Sequence, residues 1–165
     1  MNKIAILYGS TTGNTKAIAM KISSLLNADI YDVAEKPIDA LAKYNNLILG
    51  VSTWGLGDLQ DDWESFLPHF ESADLNGKTV AIFGLGDAEA YPDTFVDGMG
   101  TLFNASMVKG CKVVGFTPTD EFKFDESTAV VEKKFVGLPI DEDNESYLTD
   151  KRIQNWVEQL RKEFS

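Results

Sequence analysis

Ile4-Ala5-Ile6-Leu7-Tyr8-Gly9-Ser10-Thr11-Thr12-Gly13-Asn14-Thr15 joins five apolar residues of strand length to a run of small and hydroxylated residues, and an amphipathic helical pattern follows at once. Strand, tight turn and helix in that order form the opening unit of an alternating α/β chain. The turn has the build of an anion cup. Its small residues let the backbone turn tightly, and the hydroxyls of Ser10, Thr11, Thr12 and Thr15 can donate hydrogen bonds. The first N–H groups of the helix have no intrahelical partner and point the same way. The run lacks the lysine of a G-x-x-x-x-G-K-[ST] loop and the spacing of a G-x-G-x-x-G turn. It is suited to one terminal monophosphate held by neutral donors. The plain alternative is a polar turn in which Thr12 or Asn14 merely caps the helix, and the rest of the chain decides between them.

Apolar bursts recur at Ile30–Val33, Leu47–Val51, Val80–Phe83 and Val113–Phe116. They are too continuous for a sheet with one wet face and read as parallel strands covered on both sides. Four stripes step by three or four between them: Ile18, Ile22, Leu25 and Leu26; Leu59, Trp63, Phe66, Leu67 and Phe70; Phe95, Met99, Leu102, Phe103 and Met107; Ile153, Trp156, Val157, Leu160 and Phe164. Each makes one buried helix face, the last entered through Thr149-Asp150 as a cap. The pattern predicts a doubly wound, three-layer α/β sandwich on a five-stranded parallel sheet. Residues 117–134 break the rhythm, because Pro118 and the alternation of Phe122-Lys123-Phe124 do not fit a helix. They read as an insertion that interrupts strand five, which resumes at Phe135–Ile140.

With 165 residues, 44% of them hydrophobic, the chain fits a single domain over 1–165 with a sizeable core. Its 15 basic and 26 acidic residues give a formal charge of -11, which opposes nucleic acid and anionic membrane surfaces and favours basic protein partners. Cys111 is the single cysteine, so neither a disulfide framework nor a cysteine metal cluster is expected. Lys3 leads straight into a short strand, unlike a secretory leader, and the cytoplasm is the expected compartment.

In a parallel sheet, the segments after strands one, three and four emerge at one edge, where such folds take their ligands. The second of these segments is Ser52-Thr53-Trp54-Gly55-Leu56-Gly57-Asp58, and the third is Gly84-Leu85-Gly86-Asp87-Ala88-Glu89-Ala90-Tyr91-Pro92-Asp93. A phosphate cup flanked by a Trp loop and a Tyr loop suits a flat aromatic ligand with a phosphorylated tail. Flavin mononucleotide (FMN) fits that description.

These segments carry a family resemblance. S-T-T-G-N-T at 10–15, S-T-W-G-L-G-D-L-Q-D-D-W at 52–63, G-L-G-D at 84–87 with Y-P-D-T-F at 91–95, and K-F-V-G-L-P-I-D-E-D-N at 134–144 make the chain similar to the flavodoxins from Lys3 to Phe164. The insertion in strand five resembles that of the long-chain subgroup. The resemblance implies the sheet order 2-1-3-4-5 and a monomeric, noncovalent FMN carrier that shuttles single electrons at low potential. Ser10, Thr11, Thr12, Gly13, Asn14 and Thr15 would hold the phosphate. Trp54 and Tyr91 would flank the two faces of the ring, backbone groups of Gly55, Leu56 and Gly57 and of Gly84, Leu85, Gly86 and Asp87 would line its edge, and Ser52, Thr53, Asp93 and Phe95 would complete the cofactor site. Asp143 matches a position near the ribityl chain. Implied partners are a flavoprotein reductase such as ferredoxin/flavodoxin NADP reductase, and iron–sulfur donors or acceptors.

In such a carrier the protein's share of the chemistry is orientation and electrostatics. A fixed negative charge about 10 Å away through water contributes roughly 0.4 kcal/mol against a second electron, or about 20 mV. Asp58, Asp61, Asp62, Asp87, Glu89, Asp93 and Asp143 all lie in or beside the loops. The first electron is governed by a backbone carbonyl able to turn toward flavin N5, and the Gly55-Leu56 peptide is suited to that turn because glycine tolerates positive φ. An FMN-dependent NAD(P)H:quinone reductase is the rival on the same fold, but it needs a nicotinamide pocket, and the large insertion lies away from the loop after strand three. A phosphoacceptor module would need acids where Gly9-Ser10 and Ser52-Thr53 stand.

Overall fold

The computed structural model describes residues 3–164. In chain order the elements are β1 (Ile4–Tyr8), α1 (Asn14–Leu26), β2 (Asp29–Asp32), α2 (Ile38–Lys43), β3 (Asn46–Trp54), β4 (Asp58–Leu59), α3 (Asp61–Ser72), β5 (Thr79–Leu85) and α4 (Asp97–Val108). There follow β6 (Lys112–Val114), β7 (Thr117–Pro118), β8 (Val130–Val131), β9 (Lys134–Phe135), β10 (Leu138–Ile140), α5 (Glu142–Glu145) and α6 (Thr149–Glu163). The main sheet runs β2-β1-β3-β5, all parallel, and its fifth position is shared. Here β6 pairs with Thr79–Ala81 of β5, and β10 with Phe83–Leu85. Counted by position, this is the expected order 2-1-3-4-5.

Alternation explains why the strands read as continuous apolar runs. Ala5 and Leu7 of β1, with Leu47, Leu49 and Val51 of β3, face the layer that holds Trp63, Phe66, Phe70, Met99 and Leu102. Ile4, Ile6 and Ile48 face the other layer, with Ile18 and Ile22 of α1 and Trp156 and Leu160 of α6. Burying each large side chain contributes roughly 1.5–3 kcal/mol. The Trp63 indole donates to Gly50 O at 2.7 Å, and the Trp156 indole to Gly115 O at 2.8 Å, so both buried N–H groups are satisfied.

Several boundaries move. Strand two is Asp29–Asp32, an edge strand on which Ile30 is 37% exposed, and Val33 begins a 3-10 turn capped by Asp32. α2 has no counterpart in the stripes. Leu59 belongs to the β3–β4 hairpin and Phe95 precedes α4, so neither is a helix residue. Leu25 and Met107 fall on exposed sides. Thr149 is no cap: a 3-10 turn over Ser146–Leu148 runs straight into α6, and the Thr149 hydroxyl is buried.

The insertion folds into a small antiparallel sheet, β7-β9-β8. Phe122, Phe124 and Phe135 pack around Phe95 with ring centroids 5.8–6.0 Å from it. The N–H groups of Asp125 and Glu126 both donate to Pro92 O, and Thr128 N–H donates to Asp97 Oδ1 at 2.8 Å. The insertion therefore braces the loop between β5 and α4. No helix among the described residues is long and apolar enough to cross a membrane.

Candidate functional site

The carboxyl ends of β1, β3, β5 and β10 share one edge, and their loops enclose a cavity of about 300 Å3. That size is at the small end for a small-molecule or cofactor site. In the first loop, Gly9 N–H is tied to Gly50 O at 3.1 Å, and Ser10 Oγ accepts the Gly13 N–H at 3.0 Å. Gly13, at φ +94°, turns the chain into α1 without a side-chain cap, and α1 carries no acid in its first turn. Its positive end is free to meet an anion. Thr12, Asn14 and the almost fully buried Thr15 line the cavity.

β3 continues through Trp54 and returns as β4, pairing Thr53 with Leu59 and Trp54 with Asp58. The connection takes Gly55 at φ +52° and Gly57 at φ +93°. Trp54 stands 42% exposed on the rim, its indole N–H on Ser52 Oγ at 2.9 Å, and Leu56 is 83% exposed beside it. Thr53 Oγ1 accepts the Gly98 N–H, fixing the hairpin to α4.

After β5, Asp87 Oδ1 accepts the N–H groups of Glu89 and Ala90 and folds the chain toward Tyr91, also 42% exposed. Partial burial works against ionisation of Asp87, but the Ala90 N–H, the Asn144 side chain and the Glu89 N–H together hold its carboxyl below the ordinary carboxylate range. Beyond β10, the buried Asp141 accepts Ala88 N–H at 3.2 Å. Glu142 and Asp143 complete the rim. Partial burial pushes the Asp143 carboxyl up, reinforced by the charges of Asp87, Asp141 and Glu142.

Of the residues expected at the site, Ser52, Thr53, Trp54, Gly55, Leu85, Gly86, Asp87, Tyr91 and Asp143 join Thr12, Asn14 and Thr15 in lining the cavity. Ser10, Thr11, Gly13, Leu56 and Gly57 belong to its loops without lining it. Gly84 lies within β5, where a Cβ would run into Met99, so its smallness serves helix packing. Phe95 is 1% exposed in the core, and Asp93 borders a different hollow with Phe124 and Asp125. Glu142, Gln60, Asp141 and Asn144 were not among the expected site residues. The last three act through hydrogen bonds to other loops, and the one sequence signal for them is their place inside the 52–63 and 134–144 motifs.

A strand-edge cavity with an uncapped helix start, neutral hydroxyls, two half-exposed aromatics and an acidic rim has the chemistry of a site for a planar aromatic phosphate. The family model described as Flavodoxin matches residues 6–156. The chain belongs to the flavodoxin family. It is 46% identical to the flavodoxin of Helicobacter pylori over 100% of both chains, and 44% identical to that of Synechocystis over 98% of this chain and 97% of the relative. A crystal structure of Fusobacterium nucleatum flavodoxin bound to flavin mononucleotide superposes with a TM-score of 0.95, at 34% identity and 100% coverage of both chains. Oxidised flavodoxin 2 of Bacillus cereus superposes at 0.75, with 27% identity over 98% of this chain and 99% of that one. Flavodoxins are themselves a standard example of ligand binding at the point where strand order reverses, here between β1 and β3.

Proposed function

We propose that this flavodoxin is a low-potential one-electron carrier that holds FMN noncovalently in the cavity at the carboxyl edge of its sheet. The observation that carries the reading is the meeting of the uncapped α1 start, the half-exposed Trp54 and Tyr91, and the acidic rim in one cavity. FMN supplies reversible acceptance of one electron at a time. Ser10 to Thr15 bind its phosphate through N–H groups and neutral hydroxyls, which anchors a dianion without placing a cation beside the ring. Trp54 and Tyr91 exclude water from the ring faces and favour its uncharged forms. Asp87, Glu142 and Asp143 keep the field at the rim negative and hold the potential of the second electron low. Gly55 leaves the Gly55-Leu56 peptide free to present its carbonyl to a proton on flavin N5.

The chain works as a single domain over 1–165 and as a cytoplasmic monomer. The interruption between β6 and β10 supports membership of the long-chain subgroup. With a formal charge of -11, its partners are basic-faced: a flavoprotein reductase such as ferredoxin/flavodoxin NADP reductase on one side, and iron–sulfur or flavin enzymes on the other. The test is stepwise reduction of the FMN-loaded protein followed by its visible spectrum. Two resolved one-electron steps, with negligible NADPH oxidation unless a reductase is added, are the expected result. A protein that rejects FMN, or oxidises NADPH by itself, overturns it.

A further inference from the structure

We propose that Gln60 is a positioning residue that sets the Thr11 hydroxyl as a hydrogen-bond donor into the anion cup. The proposal rests on the reading that the cup takes the FMN phosphate. Gln60 is 1% exposed and stands at the N-terminus of α3, where its Oε1 accepts the Trp63 N–H at 3.1 Å. That N–H belongs to the first turn of the helix and has no carbonyl partner within it. The amide is therefore oriented by its own chemistry: oxygen toward Trp63, nitrogen toward Thr11 Oγ1 at 3.1 Å and Asp62 Oδ2 at 2.9 Å. Both amide hydrogens are committed.

A hydroxyl has one hydrogen to give. Because Thr11 Oγ1 accepts from Gln60, its own hydrogen is directed elsewhere, and the Thr11 side chain is exposed in the loop that leads into α1, next to Thr12, which lines the cavity. The same polarity holds at Ser10, whose Oγ accepts the Gly13 N–H. Phosphate oxygens only accept, so a cup of hydroxyls works when each is turned outward as a donor. Gly9 makes room for the device, since a Cβ there would run into Gln60 Oε1 and lie 2.8 Å from Trp63 Cδ1.

The test compares FMN with riboflavin, which lacks the phosphate, by quenching of flavin fluorescence in the apoprotein. Gln60→Glu keeps the acceptor for Trp63 N–H but replaces the donor, so Thr11 must turn its hydrogen toward the carboxylate. Gln60→Glu and Thr11→Val should each weaken FMN about tenfold, the scale of one hydrogen bond to a charged group, and leave riboflavin within about twofold. In the Thr11→Val background, the Gln60→Glu effect should shrink to what its added charge alone produces. Additive effects in the double variant, or equal losses for the two flavins, overturn the proposal. If Gln60→Glu does not fold, Gln60→Met, uncharged and of similar size, must show the same FMN-selective loss, and an equal loss for riboflavin overturns it. A wild-type protein that binds riboflavin as tightly as FMN overturns instead the assignment of the cup to phosphate.

Discussion

Asn144 donates from Nδ2 to Asp87 Oδ1 at 2.9 Å, joining α5 to the turn after β5 across 57 residues of sequence. The same nitrogen lies 2.9–3.0 Å from both oxygens of Asp141. Asp87, Asp141 and Asp143 each bring a carboxylate oxygen within 4.8 Å of the others, so this amide offsets a concentrated negative charge.

Replacing Asn144 with Ala is expected to cost about 2 kcal/mol at pH 7, the scale of a hydrogen bond to a charged group. Urea unfolding measures it. The loss should shrink as pH falls below the ordinary carboxylate range and Asp87, whose carboxyl the fold holds below that range, takes up its proton; a loss that stays constant with pH would reduce the contact to packing.

Asp143 makes the opposite contribution. Its carboxyl is pushed up by partial burial and then by Asp87, Asp141 and Glu142, so the folded chain binds that proton more tightly than the unfolded chain, whose Asp titrates near ~3.9. The charged form therefore destabilises the fold above the raised pKa, and the effect vanishes once pH falls below the unfolded value. Asp143→Asn should raise Tm at pH 7 and leave it unchanged near pH 3. In the FMN-loaded protein it should also raise the potential of the second electron by about 20 mV, as expected for one charge about 10 Å away through water. Calorimetry and spectroelectrochemistry on one variant would test the trade of stability against reducing power.

What is legible in the chain follows from how local each feature is. β1, β3 and β5 declare themselves because both faces of each are buried, and Trp54 and Tyr91 because their neighbours are glycines and loop formers. α2 is silent, since six residues cannot make a stripe. Gln60 and Asn144 look like ordinary polar residues until the fold brings them to Thr11 and Asp87, 49 and 57 residues away. Phe95 misleads for the same reason: it follows the Tyr91 loop in sequence, but its ring partners Phe122, Phe124 and Phe135 come from the stretch between β6 and β10, which runs past the expected resumption of strand five at Phe135. Arg152 is equally unreadable. It lies 4.2 Å over the Phe122 ring and 3.1 Å from Glu145, linking α6 to the insertion and to α5.

Gly55 separates conformational freedom from space. A Cβ there would meet nothing closer than Asp58 Oδ2 at 3.5 Å, so the penalty of substitution comes from φ +52° alone. Gly55→Val should cost about 1–2 kcal/mol and bias the peptide away from the left-handed region. Under the role proposed for the Gly55-Leu56 carbonyl at N5, the expected redox consequence is a narrower gap between the two one-electron potentials, because the peptide loses its freedom to turn. A gap equal to wild type would remove the Gly55-Leu56 peptide from that role.

The neutrality of the cup gives the last prediction. Thr12 is exposed and lines the cavity at the positive end of α1, where hydroxyls and N–H groups are the donors. Thr12→Lys would place a cation within reach of the phosphate, so FMN affinity should rise or hold. The same charge acts through the cavity on the ring and opposes the rim carboxylates. The potential of the second electron should therefore rise by roughly 20 mV at low salt, less at 0.5 M salt, where the Debye length falls to a few ångströms. Potentiometric titration at two ionic strengths separates the outcomes: tighter FMN binding with an unchanged potential would mean that the cup is neutral for reasons unrelated to redox tuning.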